Sequence, residues 1–160
     1  ERTDFMIMGG AVMKLNTRGQ VMIRAGAMLK SVIPYLLLYR FFAFIIMPRK
    51  RHQESRNLFI NEAKKLYQKE FKRWFTLIAE VNPLLKYFRF NDSGKRTLYI
   101  MGSEDHMFLP SISKLAKDHK MSELFVVPNC GHVVNVEQPE LFNETAIAFL
   151  KGQKLVPIPV

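Results

Sequence analysis

The 160-residue chain is long enough for one domain, because domains commonly hold about 100–200 residues. Hydrophobic residues make up 48% of it and charged residues 24%, which excludes a disordered or fibrous chain. The single cysteine, Cys130, excludes an intramolecular disulfide framework and any cysteine-rich zinc site.

Positive charge is concentrated in the first part of the chain. The formal net charge is +10; residues 1–94 carry 17 Lys and Arg against 7 Asp and Glu, whereas residues 95–160 carry 7 of each. This asymmetry indicates two segments with different roles. The chain opens at Glu1 and reaches an apolar run almost at once, so we expect it to be part of a longer protein.

The first predicted elements are a strand and a long helical region. Residues 5–8 are apolar and precede two glycines, as in a buried strand that enters a turn. Residues 17 to 90 have few helix breakers. Within them an amphipathic helix is predicted over residues 61–81, from apolar side chains at helical spacing: Tyr67, Phe71, Trp74, Phe75 and Ile78. Pro83 is expected to stop or kink this helix.

The last third of the chain alternates strands and helices. The β-rich runs at residues 97–101 and 124–127 predict strands, and residues 110–120 between them predict a helix. A closing helix is predicted over residues 138–150, with Pro139 near its start. Mostly apolar strands separated by helices indicate a parallel sheet covered on both faces, so the predicted fold class is α/β.

Two loops after predicted strands carry residues with catalytic potential. Reactive groups of parallel α/β sheets gather beyond the carboxyl ends of the strands. Asp105 follows the strand at residues 97–101, and His132 follows the strand at residues 124–127. A carboxylate that accepts the Nδ1 proton of a histidine fixes its tautomer and leaves Nε2 as a base. The carboxylate precedes the histidine, as in α/β-hydrolases.

The chain resembles the C-terminal part of the α/β-hydrolase superfamily. The matching stretches are TLYIMGSED at residues 97–105 and PNCGHVVNVEQPELFN at residues 128–143. The resemblance implies a partial parallel sheet of about three strands. It also implies a core strand within residues 1–16, a helical cap or lid insertion over residues 17–92, and the end of the core over residues 93–160. Asp105 and His132 would then be the triad acid and histidine.

The family's nucleophile motif is missing from the sequence. No G-x-S-x-G elbow occurs, because Ser103 follows Gly102 but lacks the glycine two positions later. The resemblance therefore implies that the nucleophile, as well as the oxyanion donors, lies upstream of residue 1. We expect this chain alone to be inactive. An upstream aspartate or cysteine in place of serine would change the reaction.

Other polar residues near the predicted site have simpler interpretations. Glu104 is the alternative acid and is expected to be a solvated loop residue. Cys130 stands too close in sequence to His132 to align as a nucleophile and is expected to be buried. His106 has no metal-ligand spacing around it, so no metal or cofactor is expected. His52 and His119 have polar neighbours and are expected at the surface.

Residues 31–47 form an unusually apolar segment with Arg40 at its centre and basic residues on both sides. A membrane span is disfavoured by the central charge and by a length below about 20 residues. Two interpretations stay open. The segment packs as a buried cap helix, or its apolar face lines an acyl-binding cavity or touches an anionic lipid surface.

The sequence thus supports an esterase-like or lipase-like hydrolase acting on small apolar esters, by resemblance. The alternative is a non-catalytic interaction module that associates through an unpaired sheet edge or the apolar cap. An exposed edge at residues 5–8 would favour a homo-oligomer. Nucleic acid is not an expected partner, because the aromatic residues near the basic helix face lie on its apolar side. The expected location is cytoplasmic, with membrane association left open.

Overall fold

The structure is a computed structural model and describes residues 3–14, 17–29 and 31–155. In chain order, the elements are β1 (Phe5–Gly9), α1 (Thr17–Leu29), α2 (Tyr35–Ile46), a 3₁₀ turn (Lys50–His52), α3 (Gln53–Lys64), α4 (Gln68–Phe90), β2 (Arg96–Gly102), α5 (Leu109–Asp118), β3 (Ser122–Val127), α6 (Val134–Glu137) and α7 (Pro139–Leu150).

A three-stranded parallel sheet combines β1, near the start of the chain, with two strands from the part after residue 90. Its strand order is β1-β2-β3, so β2 is central and pairs in parallel with both neighbours. Phe5 pairs with Arg96, and Thr97 pairs with Ser122. All three strands therefore end at the same edge of the sheet. The prediction of an α/β fold with parallel strands is confirmed.

Strand β2 is buried on both faces, as its continuous apolar run predicts. Alternate residues point to opposite sides. Leu98 and Ile100 pack in one core cluster with Phe149 of α7. Tyr99 packs in a second cluster with Ile112 of α5. Helices α5 and α7 thus cover the two faces of the sheet.

The helical segment, residues 17–90, contains a break that the sequence does not predict. A single helix was predicted over residues 61–81, but α3 ends at Lys64 and α4 begins at Gln68. The carbonyl of Leu66, in the break, accepts a hydrogen bond of 2.7 Å from the hydroxyl of Tyr35. A tertiary contact therefore stabilises a break that the apolar spacing does not reveal.

Of the two predicted effects of Pro83, a stop is excluded, because helix α4 continues through this residue to Phe90. A proline removes one backbone hydrogen bond, and the turns on either side of this residue keep the helix intact. Phe71, at the start of α4, is buried against α2, in a cluster with Leu38. The other apolar residues that suggested this helix, Trp74, Phe75 and Ile78, have side chains outside the described part.

Helix α2 accounts for most of the apolar segment at residues 31–47. It has 12 residues, about 18 Å at the usual rise per residue. Leu38 and Ala43 are buried, whereas Leu37, Phe41 and Phe44 on the other side are 56%, 58% and 60% exposed. Among the described residues, no helix combines the length and the hydrophobicity needed to span a bilayer.

Candidate active site

Asp105 lies in the turn between β2 and α5. The turn begins after Gly102, where the apolar run of β2 ends, and leads into α5 at Leu109. The Asp105 side chain is fully buried. Its Oδ1 accepts a hydrogen bond of 3.1 Å from the backbone N–H of Phe108. This bond holds one carboxylate oxygen against the turn and leaves Oδ2 directed at a partner.

His132 lies in the loop that follows β3. The loop is tied to the Asp105 turn by two hydrogen bonds. The Asn129 N–H donates to Ser103 Oγ at 3.0 Å, and the Glu104 N–H donates to the Cys130 carbonyl at 2.9 Å. Asn129 has a φ of 54°, a left-handed conformation that asparagine tolerates. The two loops therefore form one connected layer at the strand ends.

The structure brings Asp105 and His132 into direct contact. His132 Nδ1 lies 2.7 Å from Asp105 Oδ2. The ring of Phe108 packs against the imidazole, with 4.9 Å between ring centroids. The His132 side chain keeps 20% of its surface exposed. The aspartate is thus enclosed, while the histidine remains reachable from outside.

Gly10, after β1, completes the surroundings of His132. Its φ is +57°, and a Cβ at this position would collide with the backbone carbonyl of His132. The Gly10 N–H donates to the Ile100 carbonyl at 3.0 Å. The close approach requires glycine here, and it places the chain after β1 directly beside the histidine loop.

This geometry is suited to general base chemistry. A carboxylate at 2.7 Å accepts the Nδ1 proton, which leaves the Nε2 lone pair to take a proton from another group. The same carboxylate stabilises the imidazolium that results. The buried Asp105 and the partly exposed His132 therefore form a pair that can accept a proton from a group placed at Nε2.

Cys130 does not supply that nucleophile. It is fully buried, as predicted. Burial raises the pKa of its thiol to about 12, and the nearby carboxylates of Glu137 and Glu104 add to the shift. Only the thiolate is strongly nucleophilic, so this side chain stays inert at neutral pH.

Three sequence-based predictions about neighbouring polar residues are wrong. The Glu104 side chain is only 6% exposed rather than solvated, because it forms ion pairs with Arg49 and Arg51 and a 2.9 Å hydrogen bond with His52 Nε2. His52 is fully buried in the same contact. His119 is also buried, and its Nε2 hydrogen-bonds the carbonyl of Arg89 at 3.2 Å. The partners of all three are distant in sequence, so no local pattern could have revealed them.

A cavity in the described part of the structure lies apart from the Asp105–His132 pair. No group of three or more potential metal ligands occurs within the described residues. A cavity of about 610 Å³ lies between α1, the end of α4 and α5, with His106 and Met107 in its wall. Neither Asp105 nor His132 lines this cavity, so the pair opens elsewhere.

Comparisons with known proteins identify the fold. No family model and no curated protein sequence matches the chain. Among solved structures, an esterase from Exiguobacterium antarcticum matches with a TM-score of 0.69 and 14% identity, over 92% of this chain and 57% of that one. An α/β-hydrolase from a Medee basin deep-sea metagenome library matches with a TM-score of 0.65 and 17% identity. The match covers 98% of this chain and 59% of that one.

A third structural neighbour is a meta-cleavage product hydrolase from Pseudomonas fluorescens IP01. Its TM-score is 0.61 and its identity 23%, over 95% of this chain and 57% of that one. This chain therefore has the fold of the α/β-hydrolases over part of their length, which confirms the resemblance seen in the sequence. It spans less than two thirds of each of these neighbours.

Proposed function

We propose that the protein to which this chain belongs is a serine-type hydrolase of carboxylic esters with apolar acyl groups. His132 Nε2 would take the proton of a serine hydroxyl as its oxygen attacks the ester carbonyl, and would return it to the departing alcohol. Asp105 would orient His132 throughout. The observation that carries this proposal is the 2.7 Å contact between Asp105 Oδ2 and His132 Nδ1 at neighbouring strand ends.

The nucleophile would come from polypeptide outside residues 1–160. Two observations support this. The sequence has no G-x-S-x-G elbow, and the chain spans only 57–59% of the length of its structural neighbours. The 160-residue chain alone would then have no ester hydrolase activity. A carboxylate nucleophile in that missing part would redirect the reaction to dehalogenation or epoxide opening.

The helical segment would act as the cap that selects an apolar substrate. Helix α2 supports this role with an exposed stripe of Leu37, Arg40, Phe41 and Phe44. In the complete protein this stripe would line the acyl-binding cavity. Contact with an anionic lipid surface is the other use that an apolar stripe with a central cation permits.

A serine-reactive phosphonate ester tests the proposal directly. The full-length protein is expected to gain the mass of one phosphonyl group and to lose ester turnover, whereas residues 1–160 gain none. Peptide mapping then locates the modified residue. A full-length protein that hydrolyses no ester and stays unmodified would contradict the proposal.

The alternative function is a non-catalytic interaction module that pairs through β1. One observation favours it: among the described residues, β1 pairs with β2 alone, so its other edge carries backbone groups available to a further strand. Sedimentation velocity of the chain at rising concentration separates the two. A dimer that persists on dilution supports this module, and a monomer at high concentration argues against it.

A further inference from the structure

A buried ion-pair cluster links the helical segment to the catalytic loops. Its centre is Glu104, which is paired with Arg49 Nη1 at 2.6 Å and Arg51 Nη2 at 3.2 Å on one oxygen. The other oxygen lies 2.9 Å from His52 Nε2. The two arginine side chains are about half exposed, whereas His52 is fully buried. His52 is therefore the member of the cluster least screened by solvent.

His52 also lies against the loop that carries His132. Its Nε2 is 3.8 Å from Glu137 Oε2, and that same oxygen accepts the Gly131 N–H at 2.7 Å. A Cβ added at Gly131 would lie 2.9 Å from His52 Nε2, so the imidazole packs directly on this backbone. One buried ring thus contacts the residue before Asp105 and the residue before His132.

Only one of the two ring nitrogens of His52 has a partner within the described part of the chain, so the histidine is not explained by a fully hydrogen-bonded ring. Among the described residues, His52 Nδ1 is buried without a hydrogen-bond partner. A buried polar group left unpaired costs about 1–3 kcal/mol, which an apolar side chain of similar size would avoid. The histidine is therefore better explained by what its Nε2 holds in place.

We propose that His52 is a positioning residue for the Asp105–His132 pair. By hydrogen-bonding Glu104 through Nε2 and packing on the Gly131 backbone that Glu137 binds, it fixes the two loops relative to each other and makes their geometry depend on docking of the helical segment. The effect of His52 on catalysis, which this inference includes, rests on the proposed function. The contacts themselves are independent of the substrate.

Two amide substitutions give a matched test. In His52→Gln the side-chain amide nitrogen reaches the place of Nε2 and can still donate to Glu104. In His52→Asn the shorter amide reaches only the place of Nδ1. His119→Asn serves as the control, since His119 is also buried but hydrogen-bonds Arg89 rather than the catalytic loops.

Nitrogen-15 NMR of the histidines is the first measurement, because it reports on His132 without any substrate. We expect His132 protonated at Nδ1 and not at Nε2 in the unaltered protein, in His52→Gln and in His119→Asn. His52→Asn is expected to give a mixture of the two tautomers. The same Nδ1-only signal in His52→Asn would overturn the proposal, as would a mixture in His52→Gln.

Ester hydrolysis by the full-length protein is the second measurement. His52→Asn is expected to lower kcat about 10–100-fold with little change in KM, because a small misplacement of a catalytic group costs rate rather than binding. His52→Gln should recover most of kcat. If His52→Asn does not fold, Glu104→Gln takes its place: mixed tautomers support the proposal, and an unchanged Nδ1-only signal overturns it. If the full-length protein hydrolyses no ester but the histidine NMR spectra of the variants differ as expected, the proposed function is refuted and the positioning role of His52 stands.

Discussion

At the residue scale, Asp105 is the side chain whose surroundings constrain the interpretation most. Burying an ionised carboxylate is costly unless its oxygens are hydrogen-bonded. Here one oxygen accepts the Phe108 N–H and the other the His132 Nδ1–H, at 3.1 Å and 2.7 Å. A carboxylate held only as a helix cap would have no need of the imidazole. The pairing supports its assignment as the acid that orients a base.

Asp105→Asn is expected to lower kcat for ester hydrolysis about 10⁴-fold in the full-length protein, because the amide favours the wrong histidine tautomer. The substitution preserves the size of the side chain, so the change in melting temperature should be small by comparison. Asp118→Asn, at the exposed end of α5, is the control and should leave kcat unchanged. Equal activity of the two variants would contradict the assignment.

Cys130 gives a pH-dependent prediction. Its thiol has a pKa near 9 when unfolded and about 12 in the fold, so the unfolded chain loses its proton first as the pH rises. The free energy of unfolding should therefore fall between about pH 9 and pH 12. Cys130→Ala should reduce that fall, while the raised pKa values of Tyr39 and Tyr99 contribute equally to both proteins.

Urea unfolding at pH 8 and at pH 10 measures this difference. Alkylation at pH 8 is an independent check: the native thiol should react far more slowly than the thiol in urea. Rapid labelling of the native protein would show that the thiol is neither enclosed nor held protonated.

At the element scale, the sequence predicts the strands best. All three predicted strands are present, because apolar runs of four or five residues are too short for a helix and favour a strand. The first was predicted to be buried, but β1 is only partly buried. The break between α3 and α4 was missed, since Tyr35 stabilises it from another helix. The short helix α6 was also missed, because four residues are too few for a helical period.

The residues of the candidate site were likewise predictable only in part. Asp105 and His132 could be predicted because each directly follows a strand and parallel strands end at one edge. The roles of three other residues could not be predicted, namely His52, Glu104 and Glu137. Their contacts join residues that are separated by 52 and 85 positions in the sequence, or lie in a turn that has no recognisable sequence motif. Long-range ion pairs leave no periodic signal in a sequence.

Packing of α7 on the sheet gives a stability prediction. Phe149 is fully buried, meets the ring of Phe5 edge-on at 6.2 Å and lies under the guanidinium of Arg96 at 4.8 Å. Phe149→Ala should lower the free energy of unfolding by about 3–5 kcal/mol. The adjacent Leu150 is 52% exposed, so Leu150→Ala should cost far less. Similar losses in urea titrations of the two variants would contradict this packing.

At the scale of the whole molecule, the chain joins two unlike parts. The sheet and its helices have balanced charge, whereas the helical segment carries the excess of Lys and Arg. The 3₁₀ turn at residues 50–52 connects them through Glu104. Among the described residues, β1 pairs with β2 alone and α2 keeps an exposed stripe. Under the proposed function, polypeptide outside residues 1–160 would cover both surfaces.

The most direct test is ester turnover by the full-length protein with His132 replaced by alanine. His106→Ala is the matched control, because His106 is exposed and adjoins Asp105, while the hydrogen-bond and ring partners of the His132 side chain among the described residues are Asp105 and Phe108. We predict that His132→Ala lowers kcat at least about 10⁴-fold while His106→Ala retains it. Undiminished turnover in His132→Ala would contradict the account.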